Sequence, residues 1–393
     1  MRTMADRIES LDLLRGVAII GTLGTNIWIF TDPGGIVGFF ADVPRTGSVG
    51  DTVELLLRSL ANGKFLGLLT VLFGVGLELQ YRSARRRGAR WPGWYLWRSA
   101  LLLIEGALHF VLVFEGDVLM AYAITSFVVA YLVGRSDRAV RAVMIVLGVT
   151  QVAVLSLGTA VLLSGSPGQG VQIPGVDPRL YSEGGYFAQV LMRMDNALLL
   201  RAEAVIIVPS AVVLFLAGSR LLRAGVFADS DRGQLIRTRL IIAGLLVAAP
   251  LNLATGLAGP GWVLLDRYLL PPIVALGLLG LVTTIALRHR EAPGRCRRAL
   301  AAVGRCALSC YVFQNLVASA LCYGWGLGLA DTLSGYRPWW VIGLWAGISL
   351  SFAVLATVWV GRHERGPLEI VWQWAYQRPM AVSRKDTRNA RVG

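Results

Sequence analysis

The sequence predicts an all-α, polytopic membrane helix bundle of about ten transmembrane helices with both termini cytoplasmic. Three observations carry this. Apolar runs near 20 residues, the length that spans a bilayer as a helix, recur along the whole chain. Charged residues make up only 16% of the 393 positions, and mean hydropathy is +0.59, where a soluble domain carries about 25% charge. The basic residues are not scattered. With the N-terminus inside, 29 of the 38 Lys and Arg fall in segments predicted to face the cytoplasm, as the positive-inside rule requires. That placement accounts for the +14 net charge without a nucleic-acid partner.

Ten spans are predicted, at 11–30, 62–81, 96–114, 117–134, 140–163, 197–217, 239–258, 262–287, 307–325 and 339–360. The first run has no small-residue cleavage site and is expected to remain a span. Span two, "NGKFLGLLTVLFGVGLEL", carries glycines that suit close helix packing; no strand precedes them, so they are not a phosphate loop. Spans seven and eight contain "AAPLN" and "LLPPIV", interruptions of the kind found in transporters. Trp28, Trp262, Trp325, Trp339 and Trp340 mark outer boundaries; Trp91, Trp94, Trp97 and Trp359 mark inner ones. The external stretch 164–196 is rich in Gly and Pro and turns amphipathic near Tyr186, as a cap over an outer cavity would. Residues 366–378, "GPLEIVWQWAYQR", read as an inner interfacial helix, and 379–393 as a flexible cytoplasmic tail. Residues 1–378 form one domain. Cys296, Cys306, Cys310 and Cys322 lack metal-ligand spacing, and neither a metal nor a disulfide is expected.

The informative residues are the polar ones inside the spans, because an ionised group at membrane depth marks a pathway or a site. Asp12 and Arg15 share a helix face. They form either a local ion pair with Arg15 reaching the headgroups or a contact for a ligand from the cytoplasm. Asn26, near the outer end of span one, either bonds a neighbouring helix or belongs to a site. Glu105 and His109 lie four residues apart in span three, and Glu115 and Asp117 form the turn into span four. His109 is the one histidine in a span; with a carboxylate it has the residue types of a general-base pair, and the plain alternative is a packing histidine. Lys64, Arg193, Arg201 and Glu203 fall, like Asn26 and His109, in the outer halves of their spans. Gln314 and Asn315 lie within span nine. A polar cavity toward the outer face follows, with Asp12, Arg15, Lys64, Glu105, Arg193, Arg201, Glu203, Gln314 and Asn315 as candidate binding residues.

In order, "LDLLRGVAIIGTLGTNI", "KFLGLLTVLFGVGL", "LHFVLVFEGDVLMAYAI", "GRCALSCYVFQNL" and "GPLEIVWQW" resemble the YeiB-like bacterial membrane family over residues 7 to 376. The resemblance implies a cytoplasmic-membrane protein related to transmembrane acyltransferases, which include the lysosomal heparan N-acetyltransferase and bacterial O-acyltransferases of surface sugars. It further implies a cytoplasmic acyl-CoA as co-substrate, with no bound cofactor, and an acceptor on the far side. Membrane lipids are the remaining expected partner, and self-association is compatible. Asn26 is similar to the polar residue that closes the first span in the heparan enzyme. The catalytic His of those relatives, at the end of that span, has no counterpart in "NIWIFTDPGGIVGFFADV". Either His109 serves from another helix or the acyl chemistry is absent. In the first case His109 is the base, Asp117 or Glu115 orients it, and Asn26 stabilises the oxyanion. Transport of a small polar or lipid-linked molecule, and modification of a lipid or isoprenoid, are the alternatives.

Overall fold

The computed structural model describes residues 9–41, 47–165, 177, 179–289 and 294–389. Arg2, Arg7, Arg290, Arg391 and residues 166–176 and 178 of the predicted 164–196 stretch lie outside them. The described residues form helices and no strand. Among the described residues, eight helical segments are long and apolar enough to cross a membrane, or nine if one bent pair is a single span. The chain is a helical membrane protein.

Helix α1 (Glu9–Phe30) is the central post: 78% of its apolar window is buried. Short α2 (Gly35–Ala41) follows, then α3 (Val49–Ala61) leading into α4 (Lys64–Arg86). α5 (Trp94–Leu112) and α6 (Leu119–Leu132) make a hairpin, and α7 (Asp137–Ser164) runs along the edge with 11% of its window buried. Three short helices, α8 (Arg179–Ser182), α9 (Tyr186–Asp195) and α10 (Ala197–Leu200), precede α11 (Ala204–Ala224). α12 (Asp231–Ile241) and α13 (Ala249–Leu257) are joined by a π-helical turn, and a second π-turn, Leu265–Leu269, opens α14 (Leu270–Arg288). α15 (Arg295–Arg305) and α16 (Ala307–Cys322) meet at 89°. Short α17 (Leu329–Thr332), then α18 (Trp339–Val360) and α19 (Pro367–Asn389), complete the chain.

Every predicted span thus has a helix, but two are not plain spans. Span nine covers α16 alone, with α15 bent away from it. Span four is α6, only 14 residues, about 21 Å at 1.5 Å per residue against a hydrocarbon core of about 30 Å. The α19 backbone continues across the stretch expected to be a flexible tail, as far as Asn389.

Small residues let the central helices approach. A Cβ at Gly304 would strike the Asp12 carbonyl, and one at Gly16 the Leu300 carbonyl, so α1 and α15 cross at backbone contact. Gly74 and Gly218 do the same for α4 and α11, the small-residue packing by which helices associate in lipid. Near the C-terminal end of α4, buried Glu78 accepts from Arg82, from Arg223 at 2.8 and 2.9 Å, and from Ser219 at 2.8 Å. Arg223 also donates to the Val133 carbonyl at 2.8 Å. These bonds bring the C-terminal ends of α4, α6 and α11 together.

Candidate functional site

The site is built on the α5–α6 turn, where Val113, Phe114, Glu115, Asp117 and Val118 are buried, and buried irregular backbone must be satisfied by protein. Asp117 Oδ2 accepts from the Leu119 N–H at 2.9 Å and more weakly from the Met120 N–H at 3.4 Å. Arg201 donates to the carbonyls of Asp117, at 2.6 Å, and Glu115, its guanidinium lying 4.2 Å from the Phe110 ring centre. Arg193 donates to the Val111 carbonyl at 3.0 Å.

The turn leaves one face of Asp117 for a connected line of buried groups. His109 Nδ1 lies 3.0 Å from Asp117 Oδ1, and the Tyr311 hydroxyl donates to the same oxygen at 3.2 Å. Since Asp117 accepts, the imidazole carries its proton on Nδ1, leaving Nε2 as acceptor. Asn315 Nδ2 sits 3.4 Å from Nε2, and Asn315 Oδ1 accepts from Asn26 Nδ2 at 3.2 Å. So Asn26, Asn315, His109, Asp117 and Tyr311 form one chain across α1, α16, α5 and the α5–α6 turn. None is more than 5% exposed.

Two cavities meet at this chain. One, about 180 Å³, lies by the C-terminal half of α1 and is lined by Asn26, Asp117, Arg201, Glu203 and Arg267, among others. The second, about 560 Å³, lies by the N-terminal half of α1 and is lined by Arg15, Arg98, Glu105, Tyr311 and residues of α19. Val118 and Tyr122 line both. His109 itself lines neither.

The other predicted residues divide. Glu115 faces away from the imidazole. It accepts from Arg193 at 3.0 Å and from Tyr181 at 2.8 Å. Burial and the neighbouring Glu115 push the Tyr181 phenol well above its ordinary range, which keeps it a donor. This cluster fastens α8 and α9 over the α5–α6 turn. Lys64 donates to the carbonyls of Ser59 and Asn62 at the end of α3. Gln314 donates to the Ile19 carbonyl at 3.3 Å. Glu203 accepts from Arg267 and from Tyr268 at 2.7 Å. Asp12 and Arg15 pair at 3.4 Å, with Arg15 on the larger cavity.

Sequence reasoning missed Tyr311, Asp266 and Arg267. Tyr311 is four residues before Asn315, on the same helix face, which was a usable signal. Asp266 and Arg267 stand inside predicted span eight, where ionisable residues themselves mark a site. Asp266 accepts from Asn62 and Asn252, each at 2.8 Å. Among the described residues no group of three or more His, Cys, Asp or Glu could hold a metal.

Residues 221–378 match a family model described as "Protein of unknown function (DUF418)". Over 399 residues, 94% of each chain, the sequence is 24% identical to "Uncharacterized protein YxaH" of Bacillus subtilis (strain 168). It is 27% identical over 400 residues to "Uncharacterized protein YeiB" of Escherichia coli (strain K12), covering 94% of this chain and 96% of that one. A 119-residue stretch, 30% of this chain, is 32% identical to an uncharacterized 39.9 kDa protein of Bacillus acidopullulyticus.

Proposed function

Starting from the chain's membership of the YeiB-like family, we propose that it transfers an acyl group through the membrane, from acyl-CoA on the cytoplasmic side to an acceptor on the outer side. The observation that carries this is a pair of cavities that share Val118 and Tyr122 in their linings. The smaller reaches Asp117 and the larger reaches Tyr311, two residues that are hydrogen-bonded to each other and, through Asp117, to His109. The Arg-rich ends of the spans support a cytoplasmic position for the larger cavity and an outer position for the smaller.

In this reading an acceptor hydroxyl or amine enters the smaller cavity beside Asn26. It takes the place of the Asn315 carboxamide at His109 Nε2 and gives its proton there. Its oxygen or nitrogen attacks the thioester carbonyl, and the Asn26 amide hydrogen-bonds the developing oxyanion. The C–S bond then breaks and the proton passes from His109 to the sulfur, leaving free CoA. Asp117 holds the tautomer and stabilises the imidazolium, as an oriented carboxylate does in hydrolytic triads.

The test is transfer of labelled acetyl from acetyl-CoA in proteoliposomes containing lipid and sugar extracts. Wild type is expected to transfer label and release CoA, with both lost in Asn26→Ala and His109→Ala. Wild type that releases no CoA overturns the reading. One observation favours transport as a second reading: π-helical turns interrupt two spans around the Asn62–Asn252–Asp266 cluster, and broken helices at a polar site are a transporter feature. Substrate flux without CoA release selects it.

A further inference from the structure

The larger cavity holds charges that do not satisfy one another. Arg98, Arg305 and Arg365 line it from α5, α15 and the turn before α19, and among the described residues none has a carboxylate within ion-pair distance. The cavity's two carboxylates are Glu105 and Glu369. Glu369 is committed: it accepts from the backbone N–H of Leu308 at 2.8 Å and from the Ser309 hydroxyl at 2.5 Å, at the start of α16. Glu105 is not. Its Oε2 is buried with no hydrogen-bond partner among the described residues, although it sits in a span where such an omission is costly. The space, about 560 Å³, falls within the usual range for small-molecule sites.

We propose that this cavity binds a phosphate ester that also carries an N–H donor, the arginines holding the phosphate and the Glu105 carboxyl receiving the N–H. Converging guanidinium groups suit a phosphate, which offers several acceptor oxygens. A purely anionic ligand leaves the Glu105 acceptor unsatisfied; a purely cationic one leaves the three arginines unanswered. Two sources share the required chemistry. CoA combines phosphates with amide N–H groups, and an aminophospholipid combines a phosphodiester with an ammonium. The inference takes the cytoplasmic placement of the cavity from the reading above but does not require acyl transfer.

Binding is therefore measured without turnover, on the full chain in phosphatidylcholine nanodiscs, a lipid with phosphate but no N–H. One arm titrates CoA. The other follows retention of phosphatidylethanolamine against phosphatidylglycerol by native mass spectrometry. Either CoA binding or selective phosphatidylethanolamine retention is expected, weakened about tenfold in Arg98→Gln and in Arg365→Gln, the latter at an exposed position. Glu105→Leu weakens either ligand. Glu105→Gln identifies the source: it keeps an acceptor for a CoA amide but loses the charge that an ammonium needs. The proposal is overturned if neither ligand binds above the controls. It is equally overturned if Arg98→Gln, Arg365→Gln and Glu105→Leu unfold at the wild-type temperature and bind as wild type does.

Discussion

At the scale of single residues, Asp117 has two tasks that its neighbours cannot share. One oxygen caps the start of α6, and the other holds His109 Nδ1. Asp117→Asn keeps the shape but offers an amide N–H to the ring, favouring the wrong tautomer. Transfer is expected to fall on the order of 10³–10⁴-fold, read as label transferred per unit time, with the unfolding temperature nearly kept. Glu115 is the contrasting case. Its pair with Arg193 is almost completely buried, at 0% and 1% side-chain exposure. Glu115→Gln strands a buried guanidinium and should destabilise by about 3–5 kcal/mol, seen as a lower thermal unfolding midpoint. Arg179→Ala, which breaks a solvent-exposed pair with Asp177, should leave that midpoint unchanged. The sequence marks Glu115 and Asp117 alike, as carboxylates in one turn. Which one turns to the imidazole depends on where α8 and α9 bring Tyr181 and Arg193, and no local pattern encodes that.

Among the elements, existence was readable and continuity was not. Apolar runs announce a helix in each predicted span, because in lipid a spanning segment has to satisfy its own backbone, but not the helices between spans such as α3 and α15. They do not announce that α6 stops at 14 residues, or that Cys306 is a corner of 89° between α15 and α16. Both depend on partners elsewhere in the chain. Arg201, more than 80 positions from Glu115, supplies the donors that make an early turn tolerable. The α1–α15 crossing gives a direct check. Gly304→Ala drives a methyl into the Asp12 carbonyl and should cost about 1–3 kcal/mol, lowering the fraction that stays monodisperse in detergent on heating. Gly343→Ala on α18, with nothing within 4 Å of the added carbon, should have no such effect. Equal behaviour of the two variants contradicts the close crossing.

For the whole molecule, parity matters. Termini on the same side need an even number of crossings, so α6 and the bent α15–α16 pair either both cross or neither does. The bonds from Arg223 to Glu78 and to Val133 tie the end of α6 to the ends of α4 and α11, which supports crossing. Single cysteines in a chain stripped of its four native ones test this. Ser136→Cys should react only when the cytoplasmic face is opened, and Gly185→Cys with an impermeant thiol reagent added outside. Labelling of Ser136→Cys from outside, with Gly185→Cys labelled only from inside, contradicts ten crossings, because α6 then does not cross.

What the sequence determined by itself was the class of molecule, where its apolar helices lie, its expected orientation and its polar residues, because hydrophobic run length and Arg placement are local properties read against the thickness of a bilayer. Only the tertiary structure decided which polar residues meet. Asn26, His109 and Asn315 are separated by up to 289 positions, yet share one hydrogen-bonded line. The same packing turned Arg193, Arg201 and Lys64 toward backbone carbonyls and left Glu105 facing open space. A helix face states what it presents; the neighbour that receives it is fixed by how the helices cross.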